Sequence, residues 1–166
     1  IMHTSLRWRL FLAIAATVLA APASAQPRFT FDATPGQLGK DVVPSEYRLA
    51  LDLDPAKDTF AGVVDIALKV RRPVEAIVLN AFELTAGEIA LTGPGGARPM
   101  TATDDRTKRQ WRIVDGRTIE PGEYTLRIAY AGKVNNVGEG LFGVAYTAEG
   151  KPARMLATQL EPIAAR

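Results

Sequence analysis

The stretch Val64-Asp65-Ile66-Ala67-Leu68-Lys69-Val70 decides the fold. Apolar residues stand at every second position, and an aspartate, an alanine and a lysine fill the gaps. Side chains on an extended chain repeat with period two, so this pattern predicts a strand with one face buried. Just upstream, Tyr47, Leu49, Leu51 and Leu53 alternate with Arg48, Ala50 and Asp52. That is a second half-buried strand, which Asp54-Pro55 stops. Downstream, Ile77 to Leu79 is a short apolar run behind Pro73. Glu88 to Thr92 is a strand closed by Gly93-Pro94-Gly95-Gly96. Trp111 and Ile113 flank Arg112, and Asp115-Gly116 reads as a hairpin-type turn. After the turn at Pro121-Gly122, the residues Tyr124, Leu126, Ile128 and Tyr130 share one face. Leu141 to Tyr146 and Arg154 to Leu160 complete the set. Nowhere does a period of 3.6 residues persist, and turn signals recur about every ten residues. The chain is therefore expected to be all-β, an antiparallel β-sandwich. It contains no internal repeat and no low-complexity tract.

The amino-terminal segment has a different character. Arg7 and Arg9 precede an apolar run from Leu10 to Leu19, and Ala23-Ser24-Ala25 has the form of a cleavage site. Residues 1–25 are expected to be a secretory signal peptide, with Gln26 as the mature start and a secreted or periplasmic destination. The apolar run is short for a membrane span, so the alternative of an uncleaved anchor is disfavoured. Ile1 before Met2 suggests an open-ended reading frame. Residues 26–41, rich in Gly, Pro and polar side chains, are expected to form a flexible leader. The domain proper is expected over residues 42–166, and about 140 mature residues suffice for one core.

Composition excludes several chemistries. The chain holds 20 Lys and Arg against 18 Asp and Glu. Loss of Arg7 and Arg9 with the signal peptide leaves 18 against 18, so the basic character of the precursor carries no expectation of nucleic-acid or membrane binding. Cysteine is absent, and His3, in the signal peptide, is the only histidine. Disulfides, thiol nucleophiles, Ser-His-Asp triads and His-based zinc sites are thereby removed from the mature chain. No catalytic residue, metal ligand or cofactor site is expected within it.

Three patterns resemble sites and have plainer explanations. Gly138-Glu-Gly140-Leu-Phe-Gly143 matches a phosphate-binding spacing, but neither a strand before it nor a helix after it is indicated. Asp52, Asp54 and Asp58 fail the calcium-loop pattern because Ala56 stands where an acidic or amide ligand belongs and Lys57 where the glycine belongs. Trp111, Tyr124, Tyr130 and Tyr146 fit core positions better than a stacking platform.

Gln159 and Glu161 are the substantive candidates. Two residues apart at a strand end, they project to one side, and Pro162 ends the ladder beyond them. Such a pair could grip an ammonium group through charge-assisted hydrogen bonds. Equally, Glu161 could simply pair with Arg166 or a loop amide.

The segment Ala157-Thr158-Gln159-Leu160-Glu161-Pro162-Ile163-Ala164-Ala165-Arg166 resembles the T-Q-F-E-x-x-x-A-R stretch of zinc aminopeptidases of the aminopeptidase N and puromycin-sensitive type. Other stretches resemble that family in register: Pro44-Ser-Glu-Tyr47-Arg-Leu49, Phe60-Ala-Gly62-Val-Val-Asp-Ile66, Ile77-Val-Leu-Asn-Ala81, Pro121-Gly122-Glu-Tyr124-Thr-Leu126 with Tyr130-Ala-Gly132, and Gly140-Leu-Phe142. Leu160 departs from the usual Phe, Phe142 from a common Tyr, and Ala164 from a common Asp.

The resemblance implies a saddle-like β-sandwich forming the amino-terminal domain of an aminopeptidase, incomplete at its carboxyl end and lacking the zinc site. It implies that Glu161 binds the substrate α-ammonium and that Gln159 lines the pocket for the first side chain. Zinc, an H-E-x-x-H motif and a G-A-M-E-N-type segment are expected in a catalytic domain of the same chain, which would be its partner together with the peptide substrate. An apolar interface near Ala157–Ala165 is expected to bind hydrophobic dyes. The rival readings are a stand-alone β-sandwich binding module and a degenerate, chaperone-like peptide binder.

Overall fold

The computed structural model describes residues 29–161. The expected signal peptide, the mature start at Gln26 and the residues from Pro162 to Arg166 lie outside them. Two units divide the chain. Of the first, residues 29–34 form a turn in which the Ala33 and Thr34 N–H groups donate to the Thr30 carbonyl. The second begins at Pro35.

The described residues of the second unit form nine strands: β1 (Val42–Asp52), β2 (Thr59–Val70), β3 (Ile77–Asn80), β4 (Leu84–Gly93), β5 (Gly96–Asp105), β6 (Gln110–Val114), β7 (Gly122–Lys133), β8 (Gly140–Ala148) and β9 (Lys151–Gln159). There is no helix among the described residues. Seven strands form one sheet in the order β1-β2-β7-β4-β5-β6-β3, and β8 and β9 form a hairpin of their own. Every pairing between these strands is antiparallel.

The seven-stranded sheet curls over itself at β5. Up to Met100 this strand pairs with β4; from Thr101 onward it pairs with β6 on its other side. The chain thereby passes from one layer to the other within a single strand. Sequence alternation did not reveal β5, because Pro99 interrupts it and its second half is largely polar and exposed. Pro99 is tolerated since the first half carries only one ladder, so a missing N–H need not break a second.

Alternation explains the core. Ile66 of β2 faces Leu126 of β7, which faces Leu91 of β4; in the next row Val64, Ile128 and Ile89 line up. Ile77, Trp111 and Ile113 from β3 and β6 pack in the same cluster. No buried side-chain polar atom among the described residues lacks a partner. Tyr124 and Tyr130 pack against the cluster as expected, whereas Tyr146 is exposed.

Two expectations need correction. Asp115-Gly116 does not close a hairpin: β6 pairs with β5 and β3, while β7 pairs with β2 and β4, so the turn opens a crossover. There Gly116 takes φ 79°, the Arg117 N–H donates to Asp115 Oδ1, and Ile119 bridges to Val74. Near the end of the expected leader, the Arg71 N–H donates to the Asp41 carbonyl and Leu38 lines an apolar groove.

The second correction concerns β1. Tyr47, Leu49 and Leu51 extend the inner rows, opposite Ile66, Val64 and Gly62. They are exposed nonetheless, Leu49 by 60%. The row is apolar because it continues the inner face; Tyr47 and Leu49 border an open groove with Leu79 of β3 and Trp111 of β6.

Candidate functional site

The β8–β9 hairpin carries the candidate residues. Its turn is Glu149-Gly150, both in the left-handed region (φ 50° and 75°), the geometry that a two-residue hairpin loop needs to match strand twist. In register, Ala148 faces Lys151 at the turn and Gly140 faces Gln159 at the open end. The candidate site therefore lies where β7 hands over to β8, far along the hairpin from its tip.

Two straps hold the hairpin to the sheet. Asn135, just after β7, runs parallel to β8: its N–H donates to the Leu141 carbonyl, and its own carbonyl accepts from the Gly143 N–H. Its side-chain Nδ2 donates to the Glu139 carbonyl at 3.0 Å. The glycines of Gly138-Glu-Gly140-Leu-Phe-Gly143 thus lead into a strand and serve this strap, not a phosphate. The sequence marks Gly143 only as part of the phosphate-type spacing, not as the place of this strap; a glycine within a strand pattern is the signal for such a close approach.

The second strap is Arg154 of β9. Its Nη1 donates to the carbonyls of Pro55 and Lys57 at 3.0 and 2.9 Å, and its Nη2 pairs with Asp58 at 2.9 Å. Two of the three aspartates compared with a calcium loop are thereby explained. Asp58 receives Arg154. Asp54 accepts from the Ala56 N–H, and this bond, helped by Lys57, holds its carboxyl below the usual range. Gly143 leaves room for the arginine: a Cβ there would sit 2.5 Å from its Nε and Nη2. Gly143→Ala should displace the guanidinium and cost about 1–2 kcal/mol of charge-assisted bonding. Hydrogen exchange checks this. Amides of β8 and β9 should lose protection while those of β2 and β7 keep theirs.

At the open end the structure brings the two candidates together. Gln159 Nε2 donates to Glu161 Oε1 at 3.2 Å. Both side chains are exposed. Oε2 of Glu161 accepts no hydrogen bond from a described residue, so the carboxylate retains acceptor capacity. The amide fixes one oxygen and leaves the other for a donor. Arg166, the alternative partner of Glu161, lies outside the described residues.

His3 is the only histidine, and among the described residues no three His, Cys, Asp or Glu side chains gather as a metal ligand set. No helix among them is long and apolar enough to cross a membrane.

The described residues thus form a curled antiparallel sheet with a strapped-on hairpin, and the hairpin holds an amide–carboxylate pair at an exposed end. The chain belongs to the family described as the peptidase M1 N-terminal domain, whose model matches residues 43–166. It is similar to aminopeptidase N of Acetobacter pasteurianus, 33% identical over 155 residues that make up 92% of this chain and 42% of the relative. It is also similar to aminopeptidase M1 of Arabidopsis thaliana, at 29% over 135 residues, or 78% of this chain and 15% of the relative. Human endoplasmic reticulum aminopeptidase 1 is 26% identical over 136 residues, again 78% of this chain and 14% of the relative. The chain thus spans well under half the length of these relatives.

Proposed function

We propose that this chain is the amino-terminal domain of a secreted, zinc-dependent aminopeptidase and that Glu161 and Gln159 receive the amino end of a peptide substrate. The observation that supports this most is the Gln159–Glu161 contact at the exposed end of β9, inside the segment that the family model matches. A carboxylate rewards a terminal ammonium with a charge-assisted bond. An internal peptide nitrogen carries no charge to offset desolvation, so free amino termini are selected. Gln159, adjacent and neutral, borders the space for the first side chain.

Zinc belongs in this reading to a catalytic domain of the same protein, and the described residues take no part in its chemistry. Residues 1–25 would direct the protein across a membrane and be removed near Ala25, leaving it periplasmic or extracellular. The catalytic domain would cover apolar surface on this one. The exposed row Tyr47, Leu49 and Leu51, beside a groove of about 250 Å³ lined by Val64, Ile66 and Tyr130, is such a surface. Met155 and Leu160 add apolar area near the candidate site.

The isolated chain should therefore bind a hydrophobic dye, and the double variant Leu49→Thr/Leu51→Thr should lose most of that signal. Unchanged fluorescence in the folded variant would place the exposed interface elsewhere. Reading the coding sequence beyond Arg166 tests the proposal as a whole. An H-E-x-x-H motif followed by a third glutamate supports it; a downstream segment without metal ligands overturns the hydrolytic part.

A further inference from the structure

A second cavity lies at the other loop cluster of the sheet. It is open, about 480 Å³, and bordered by Phe82 and Glu83 from the β3–β4 connection, Asp104, Arg106 and Arg109 from the β5–β6 hairpin, and Lys133 at the end of β7. Topology assembles it. The Ala81 N–H donates to the Arg109 carbonyl at 2.8 Å, joining the first two loops, and Leu84 pairs with Gly132, setting Lys133 beside them.

The charges divide into satisfied and unsatisfied. Arg106 pairs with Asp104 at 3.3 Å, and neighbouring Lys108 pairs with Asp105 at 3.4 Å. Asp105 also accepts from the Lys108 N–H, the main cause that holds its carboxyl below the usual range. Arg109 and Lys133 make neither an ion pair nor a side-chain hydrogen bond with any described residue. Glu83 is the one bordering acid in the same condition. The cavity therefore has a surplus of one positive charge.

The Arg109 guanidinium lies 4.3 Å from the centroid of the Phe82 ring, and Phe82 is 55% exposed. Stacked in this way, the guanidinium keeps its edges for in-plane hydrogen bonds. The backbone supplies an independent observation. Three non-glycine residues among those described have positive φ: Glu149 in its hairpin turn, and Glu83 and Arg109, at 54° and 55°, which both border this cavity. That region favours glycine, yet both positions hold charged side chains.

We propose that this cavity binds an organic monocarboxylate, with Arg109 and Lys133 taking the carboxylate and the Phe82 ring carrying the apolar part. A single surplus charge fits a monoanion, and Glu83 opposes a dianion. The fork of Arg109 matches the two carboxylate oxygens. Nothing in this site depends on Gln159, Glu161 or the aminopeptidase reading.

Titration of the full chain with N-acetyl-leucine, with N-acetyl-leucine amide and with inorganic phosphate tests it. The acid should bind saturably and at least about tenfold more tightly than the amide. Arg109→Gly, which suits the left-handed backbone and so preserves the fold, should weaken the acid about tenfold, and Lys133→Gln should weaken it as well. The proposal is overturned if the acid shows no saturable binding, if the amide binds equally well, if phosphate binds more tightly than the acid, or if Arg109→Gly leaves the affinity unchanged.

Discussion

Glu161→Gln, introduced into the whole enzyme to which this domain is proposed to belong, should lower kcat/KM for peptides with a free amino terminus roughly a hundredfold, or about 2.8 kcal/mol. The substitution keeps the shape and the contact with Gln159, which donates to Oε1 at 3.2 Å, and removes only the charge. What is lost is the difference between an ammonium held by a carboxylate and one held by a neutral amide in a partly desolvated site. The ammonium is equally charged in bound substrate and transition state, so most of the effect should appear in KM. A change in kcat alone would mean that Glu161 orients the reacting bond; a change below about threefold would remove it from amine binding. Steady-state kinetics on one peptide series, with the amino-acetylated peptide as reference, separates these outcomes.

Leu126→Ala has the largest expected effect on the fold. Leu126 is fully buried on β7, the third strand of the seven, between Ile66 of β2 and Leu91 of β4. Truncation removes apolar contact on both sides and leaves a cavity that paired strands cannot close. A cost of about 3–5 kcal/mol follows. For a domain of this size the midpoint should fall by roughly 10–20 °C. Thermal unfolding followed by circular dichroism measures it. A fall of only two or three degrees would mean that the two layers are not packed as described.

The same rows show how far the sequence carries. Alternation located β2 and β7 because Val64, Ile66 and Leu68 and likewise Tyr124, Leu126, Ile128 and Tyr130 form large, mostly apolar rows while outer positions carry Asp65, Lys69 and Arg127. It placed Tyr47, Leu49 and Leu51 on the correct face but took that face for buried. Period two reports which side a residue points to, not whether another layer reaches it. β5 was missed since each half serves a different layer and Pro99 breaks its pattern. Asp115-Gly116 was misread because dipeptide chemistry specifies a turn locally and says nothing of which strand lies across it.

The candidate pair was legible because its two members lie two residues apart on one strand end, a relation that sequence states directly. What holds it was not. Arg154 reaches carbonyls almost a hundred positions away, and backbone carbonyls leave no mark in a sequence. The Arg109–Lys133 cavity was invisible for the same reason: its cations come from separate connections that only strand pairing brings together.

The most direct test of the central claim is the structure of the full-length protein with a bound peptide analogue that carries a free amino terminus. The expected result places the ammonium nitrogen about 2.8 Å from a Glu161 carboxylate oxygen, with the first side chain bordered by Gln159. An analogue whose ammonium is held elsewhere, with Glu161 beyond hydrogen-bond reach of it, would contradict the account.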